Sequence, residues 1–443
     1  MLEKRAARIV ILGGGFAGIA TAAKLERLLR PGEAEIDLVS RENFTLFTPM
    51  LPEVSSGGLA SRHVLTPIRA QLHRTNFHLA EVRRVDLAAR MVYVEHAILG
   101  KRERLQYDHL VLALGAVTST FGLPGVAERV LPLKTIEDAA RLRNHVIAML
   151  EIADVTRDER ERERLLTFVF VGGGFTGVEA AGEMVDLFNS VARFYRNVSR
   201  ERIRVVLVEG GARLLPELPE GMGTYSDREL RRRGVEMVMG DLVAGADANG
   251  LLLKSGRVIP SATIVWSAGA RPAPLLGKLG LPLARGGSIA TKSDLAIDGR
   301  PNLWAIGDCA SIPDEHGKPY PPTAQHALRE GPRLAENIVR TLRGKPTQAF
   351  RYRAMGMMAS LGARRGVASL RGKVLLTGFP AFFLWRSYYL LRLPGIDRRI
   401  RVAFDWTLNL LFPRDIAELR VYTRSAREDL SSMPSAEIST SDI

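Results

Sequence analysis

The sequence predicts an α/β protein with two Rossmann-like dinucleotide-binding domains, one inserted in the other, and a C-terminal amphipathic membrane-associating region. Three observations carry this. Two glycine turns of the same kind occur, Gly13-Gly14-Gly15-Phe16-Ala17-Gly18 and Gly172-Gly173-Gly174-Phe175-Thr176-Gly177. Strand and helix signals then alternate as far as Asn302–Ala310, the pattern of a parallel sheet. After Pro346 the character changes: residues 351–420 hold 13 Lys/Arg against 4 Asp/Glu, so this segment carries +9 of the chain's +14.

Each element follows from its residues. Ala7–Leu12 (ARIVIL) and Thr167–Val171 (TFVFV) are apolar, β-type runs leading into the two turns, and TAAKLERLL and VEAAGEMVDLF are the helical stretches behind them. In that context the first glycine permits a tight turn and the second lets backbone N–H groups approach a pyrophosphate. The third lets the helix pack close to the strand, and the helix N-terminus attracts the phosphate charge. Two such units predict two dinucleotides on one chain, the arrangement that passes a hydride from a nicotinamide to a flavin. Glu35–Ser40 reads as the second strand of the first unit, and Leu110–Leu114, ending on Gly115-Ala116, as a buried strand. Ile136–Arg164 is helix-like and studded with charge. Val205–Val208, ending on Glu209, and Thr263–Ser267, ending on Ala268-Gly269, repeat the same grammar. Asn302–Ala310 (NLWAIGDCA) is a strand whose Asp308 faces a ligand crevice if parallel sheets follow their usual rule. The predicted domains are residues 1–118 with 293–345, an insert over 119–292, a C-terminal region over 346–424, and a disordered Ser-rich tail over 425–443.

The net charge of +14 favours an anionic surface, nucleic acid or acidic lipid. No nucleic-acid fold signature accompanies it, so a nucleic-acid partner is not expected. One cysteine, Cys309, rules out a disulfide, a CxxC pair and a cysteine zinc site within one chain; no metal is expected. The first strand begins almost at the N-terminus, which predicts no signal peptide. No apolar run reaches the roughly 20 residues of a spanning helix.

These motifs together resemble the type II (single-subunit, non-proton-pumping) NADH:quinone oxidoreductases, within the two-dinucleotide-binding flavoproteins. The resemblance runs over roughly residues 6–420 and rests on GGGFAG, FTLFTPMLPEVSSG, GGGFTGVEAAGE, AIGDCA, PPTAQHA and the tail WRSYYL…PGIDRRIRVAFDWTLNLLFPRD. It implies FAD on the first unit and NADH on the second. For FAD it implies Gly13, Gly15 and Gly18 with Phe16 and Ala17, then Arg41, Thr48, Gly115, Gly307 and Asp308. For NADH it implies Gly172, Gly174, Phe175, Thr176 and Gly177, with Gly269 and with Glu209 on the adenine ribose. A carboxylate at Glu209 repels a 2′-phosphate, so NADH is expected over NADPH. Glu179, just inside the second helix, is the expected group for orienting the nicotinamide or relaying protons; its plain alternative is a helix N-terminal acid favoured by the macrodipole. Gln325 is expected at the flavin or quinone, against the alternative of a side chain satisfying local backbone. His326 and Cys309 read as packing residues.

Two departures stand out. Ser40 occupies the place where an acid usually meets the FAD ribose, and Arg329 stands where the family often has glutamine. The tail interleaves Arg386, Arg392, Arg398, Arg399 and Arg401 with Phe382, Phe383, Trp385, Tyr388, Tyr389, Phe404 and Trp406, as an interfacial helix would. The expected partners are a membrane quinone, an anionic lipid surface and a second copy of the chain. The expected location is the cytoplasmic face of the cell membrane, as a peripheral protein, with the part from about Gly378 removable without loss of flavin. Two rivals stay open: a flavin enzyme with a soluble acceptor, and a redox-sensing or scaffold flavoprotein with little turnover.

Overall fold

The computed structural model describes residues 5–96 and 98–418. The tail expected to be disordered, 425–443, lies outside the described residues. The first unit runs β1 (Ala7–Leu12), α1 (Phe16–Leu28), β2 (Ala34–Ser40), α2 (Leu51–Ser55), β3 (Thr75–Asp86), β4 (Met91–His96), β5 (Arg102–Gln106) and β6 (His109–Leu112). The second has β7 (Leu131–Pro132), α3 (Ile136–Val155), β8 (Thr167–Val171), α4 (Phe175–Val191), β9 (Arg204–Glu209), β10 (Val235–Met239) and β11 (Thr263–Trp266). The chain continues with β12 (Leu303–Ala305) and α5 (Ala324–Leu342). It ends with β13 (Gly356–Gly362), β14 (Arg365–Leu370), β15 (Val374–Gly378), α6 (Phe379–Arg392) and α7 (Ile396–Leu411).

The first sheet has the order β12-β6-β1-β2-β3-β4-β5. Its first five strands are parallel and the last two return antiparallel. The second sheet, β7-β11-β8-β9-β10, is parallel throughout. The central strands β6, β8 and β11 are buried along their whole length. That explains why they read as continuous apolar runs rather than alternating ones. The one long helix expected over Ile136–Arg164 is two. Ile136–Val155 opens on a capping box between Thr135 and Asp138, and Glu159–Leu165 opens afresh on Asp158. Asp158 accepts the Arg160 N–H, so its carboxylate caps a new helix instead of sitting inside an old one.

Two short antiparallel strands, Ala116–Thr118 and Ala270–Pro272, carry the chain between the sheets. Beyond them Leu276, Leu281 and Ile289 already pack with Val10 and Leu12 on the first sheet. The boundary expected at 293 therefore lies inside the returning segment. Residues of β13, β14, α6 and α7 share one core with α2, α3 and α4. Trp385 and Trp406, expected at a lipid headgroup boundary, are 1% and 6% exposed. Truncating a buried tryptophan to alanine costs about 3–5 kcal/mol, so the C-terminal region is part of the folded body and not a removable arm. No helix among the described residues is long and apolar enough to cross a membrane.

Candidate functional site

Both glycine turns are forced by close backbone approach. Gly13 has φ +119°, and a Cβ on it would meet the Ala113 carbonyl oxygen at 2.1 Å; one on Gly18 would meet the Gly13 oxygen at 1.9 Å. Gly172 (φ +110°) and Gly177 repeat this, the latter 1.9 Å from the Gly172 oxygen. Gly15 and Gly174 differ: a Cβ on either meets nothing within 4 Å. They are the N-caps of α1 and α4, and neither end has a side-chain cap. Two helix N-termini thus present backbone N–H groups to open space, a cradle that fits a dinucleotide pyrophosphate in each unit. Phe16, Ala17, Phe175 and Thr176 lie in the first turns behind them.

The strand registers make the two units comparable residue by residue. Leu12 pairs with Val39 and Val171 with Val208, so Ser40 and Glu209 hold the same position. Ser40 Oγ accepts the Glu42 N–H at 3.3 Å. The Glu209 carboxylate accepts from the Gly173 N–H over the turn and from the Gly211 N–H at 2.6 Å. Two N–H donors thus hold the carboxylate over the glycine turn. Arg213 donates to the Pro216 carbonyl at 2.6 Å, so it is engaged within its own loop. Glu42 is lifted by burial and by the charge of Glu137. Arg41 is exposed.

The remaining predicted positions lie on other elements of the two units. Gly115 (φ +64°) and Gly269 (φ +76°) stand at the ends of the two connecting strands. Their carbonyls accept from Ala273 and Ser119 respectively. Thr48 starts the turn that leads into α2. Asp308, partly exposed, faces the Lys134 ammonium at 3.9 Å. Gly307 (φ +71°) donates its N–H at 2.6 Å to Glu330 on α5. Burial lifts the Glu330 carboxyl to about 7, against the Gly307 bond and helped by Asp308. Gln325 is tied at both ends: Nε2 donates to the Gly356 carbonyl at 2.8 Å and Oε1 accepts from Tyr352 at 3.2 Å. Arg329 lies over the Tyr352 ring at 4.5 Å and donates to the Gln325 carbonyl. His326 packs among Tyr320, Tyr352 and Thr323, and burial lowers its pKa. Cys309 is fully buried and its thiol is pushed up to about 12, an inert packing residue.

Glu179 sits in a buried polar cluster. Its Oε1 accepts the Ser360 N–H at 2.9 Å and the Trp385 indole N–H at 3.0 Å. Burial lifts its carboxyl to about 8; the two donors oppose this and the charges of Glu53 and Glu183 add to it. Glu183, one turn on, pairs with Arg414 at 2.7 Å. Glu53 on α2 accepts from Trp406 at 3.1 Å and faces Arg386 at 3.6 Å; burial and Glu183 drive its carboxyl up. Arg386 is thus turned into the protein, stacked over Phe382 and Trp406, and pairs with this acid. A cavity of about 230 Å³ opens beside Glu53, Glu183, Asp186, Arg386 and Arg414. A line of rings joins the cluster to the first turn: Phe16 to Phe47 at 6.0 Å, Phe47 to Tyr389 at 5.9 Å, and Tyr389 to Trp385 at 4.9 Å. Glu53, Glu330, Lys134 and Arg414 escaped the sequence reading. A lone acid in the apolar run MLPEVSS, and another before Gly331, were the available signals. Among the described residues no cluster of three or more His, Cys, Asp or Glu could hold a metal.

Known proteins are similar to this chain over most of its length. Residues 7–331 match the family described as pyridine nucleotide-disulphide oxidoreductase, and residues 355–415 the NDH2 C-terminal domain. A type II NADH:quinone oxidoreductase of Mycobacterium tuberculosis, Ndh, is 32% identical over 96% of this chain and 94% of its own. Another, from Staphylococcus aureus, is 31% identical over 85% of this chain and 92% of its own. The structure of NDH2 from Plasmodium falciparum in complex with NADH superposes with a TM-score of 0.86 at 22% identity, covering 93% of this chain and all of that one. This chain belongs to the type II NADH:quinone oxidoreductase family.

Proposed function

We propose that the chain is an FAD-dependent enzyme that oxidises NADH and passes two electrons to a membrane quinone without pumping protons. The observation that carries the reading is the pair of register-matched phosphate cradles, of which only the second is topped by a carboxylate, Glu209. Names of relatives over nearly the full chain support the same reaction. FAD, when bound, supplies a ring that takes up a hydride and releases two electrons. The chain's own residues supply place, selectivity and protons. Gly13, Gly15 and Gly18 would hold the FAD pyrophosphate and Asp308 its ribityl chain. Gly172, Gly174 and Gly177 would hold that of NADH. Glu209 would accept from the adenine ribose hydroxyls and repel a 2′-phosphate. Quinone reduction consumes two protons, and Glu179, lifted to about 8, carries one at neutral pH. Gln325 is held by the Gly356 carbonyl and Tyr352, so a role at the flavin or quinone would use only the N–H and lone pair that these bonds leave.

The membrane side of the reading rests on α6 and α7. Phe379, Phe383, Ile396, Ile400, Phe404, Leu411 and Phe412 are exposed, with Arg392 and Arg401 exposed among them. Exposed apolar side chains with interleaved arginines fit the interfacial region of an anionic leaflet, which supports a peripheral enzyme; the cytoplasmic face is the side proposed. A second copy of the chain is the competing occupant of that surface.

Purified protein decides the matter. A yellow preparation bleached by NADH, then reoxidised fast by a quinone analogue and slowly by air, is expected. Bleaching without quinone-driven reoxidation would move the acceptor to a soluble partner, and a colourless preparation that takes up no FAD would end the proposal. Co-sedimentation with anionic vesicles tests the lipid surface, and a vesicle-independent dimer in solution would assign it to a second copy.

A further inference from the structure

Trp385 belongs to the helix that carries the exposed Phe383, yet it points the other way. Phe383 is 63% exposed and Trp385 is 1% exposed. A buried tryptophan needs a partner for its indole N–H, and here the partner is the carboxyl of Glu179. From the contact geometry we infer that Trp385 is a positioning residue for Glu179: it fixes which carboxyl oxygen carries the proton. The inference rests on the proposed role of Glu179.

The argument is atomic. Both donors that reach Glu179, the Ser360 N–H from β13 and the Trp385 indole from α6, reach the same oxygen, Oε1. An oxygen that accepts two N–H bonds is the poor place for a proton, so the neutral acid carries its proton on Oε2. Trp385 and Ser360 come from different elements, so together they fix the carboxyl plane as well as the loaded oxygen. Other titratable groups face Glu179 without taking over this role. Glu53 on α2 and Glu183 on α4 raise its pKa by their charge, and burial with the Glu179 charge pushes the Tyr389 phenol up. The nearby guanidiniums are engaged elsewhere, Arg386 with Glu53 and Arg414 with Glu183. The Trp385 bond favours the charged form, opposing burial; removing it therefore raises the pKa of Glu179 further.

The test is Trp385→Phe in the FAD-loaded enzyme on anionic vesicles, with saturating NADH and a soluble quinone analogue. The expected result is a kcat several-fold lower, a KM for NADH within about twofold, and a pH–rate limb displaced upward by about one unit. An unchanged limb overturns the inference, because a purely packing tryptophan moves stability and not the titration. A second measurement needs no tryptophan variant. With ¹⁵N-labelled tryptophan, an indole resonance other than that of Trp406, which faces the lifted Glu53 carboxyl, should titrate with that same limb in the wild type and fall silent in Glu179→Gln. The absence of any indole titration that is lost in Glu179→Gln would overturn the inference as well. Failure of the underlying reading looks different: Glu179→Gln with wild-type turnover and pH profile removes Glu179 from the reaction, whatever Trp385 does.

Discussion

Replacing Glu179 by glutamine should change the pH dependence of stability in a calculable way. Burial lifts this carboxyl from its ordinary 4.5 to about 8. Below pH 4.5 the folded and unfolded chains both hold the proton and the group costs nothing. Between 4.5 and 8 the unfolded chain ionises while the folded one stays neutral, so the wild type loses stability steadily as pH rises. Above 8 the loss is complete. At about 1.4 kcal/mol per unit, the lift corresponds to roughly 5 kcal/mol. The effective dielectric at buried sites exceeds that of dry protein, so a variant gain of about 2–5 kcal/mol above pH 8 is the expectation. Glutamine keeps an Oε1 acceptor for Ser360 and Trp385, so packing and both hydrogen bonds persist and contribute only a pH-independent offset. Urea unfolding at fixed free FAD, followed by circular dichroism from pH 5 to 9, reads the difference directly. A variant-minus-wild-type difference that is flat across this range, or that falls, would refute the account of Glu179 as a desolvated acid.

Other outcomes follow from single contacts. Glu209→Gln should cut the preference for NADH over NADPH by about ten- to a hundredfold, as a unit charge a few ångströms from a 2′-phosphate at moderate dielectric would; the ratio of kcat/KM values measures it, and an unchanged ratio refutes it. Gly15→Ala should fold normally yet bind FAD weakly, since its Cβ meets only the open cradle. Gly18→Ala should lower the Tm as well, since its Cβ lies 1.9 Å from the Gly13 oxygen; equal melting temperatures would count against this. His78, bonded to Asp37 at 2.9 Å and facing Glu103, has its pKa raised by the Asp37 hydrogen bond first. Its stabilisation should be full below pH about 6.5 and fade as pH climbs through the raised folded value. His78→Gln should lose that slope, so parallel stability curves would dismiss it. Phe383→Ser with Phe404→Ser should weaken binding to anionic vesicles about tenfold or more while leaving FAD content intact, and full retention would detach the membrane reading from this face.

Much of this was legible because it is written in short-range chemistry. The glycine turns, the buried strands behind them and Glu209 at a strand end are local patterns, and the sheet registers confirm that Ser40 and Glu209 are equivalent. The break after Val155 was missed because charge-studded helix periodicity continues across it, and only Asp158 acting as a cap reveals it. The C-terminal aromatics were legible as a composition but not as two faces. Trp385 and Phe383 lie two positions apart, yet only tertiary packing shows that one serves Glu179 and the other is exposed. The acid cluster was the least legible part. Glu53 and Glu183 lie far apart in sequence, and Arg386 and Arg414 reach them from the far end of the chain.

The difference between Ser40 and Glu209 makes physical sense once the two cradles are compared by what each must do. On the proposed reading a nicotinamide cofactor arrives and leaves in every turnover and must be told apart from its 2′-phosphorylated form; a fixed negative charge over the turn would do this, and the Gly173 and Gly211 N–H groups keep that charge in place. A flavin that stays bound faces no such competitor at every cycle, so its ribose position can carry a hydroxyl. Affinity there can come from the other end of the crevice. Gly307 is pinned by Glu330, Asp308 projects beside it toward Lys134, and α5 lies so close to α1 that a Cβ on Gly331 would meet the Ala17 oxygen at 2.7 Å. Placing a carboxylate on the first cradle, Ser40→Glu, should therefore leave FAD retention within about threefold, the effect of a few tenths of a kcal/mol at a solvent-facing hydroxyl contact. Removing the pin, Glu330→Ala, should cost retention tenfold or more, because it strips a buried acceptor from Gly307 beside Asp308. The two rates of FAD release, measured by fluorescence after dilution, should fall in that order, and the reverse order would show that the ribose end holds the flavin after all.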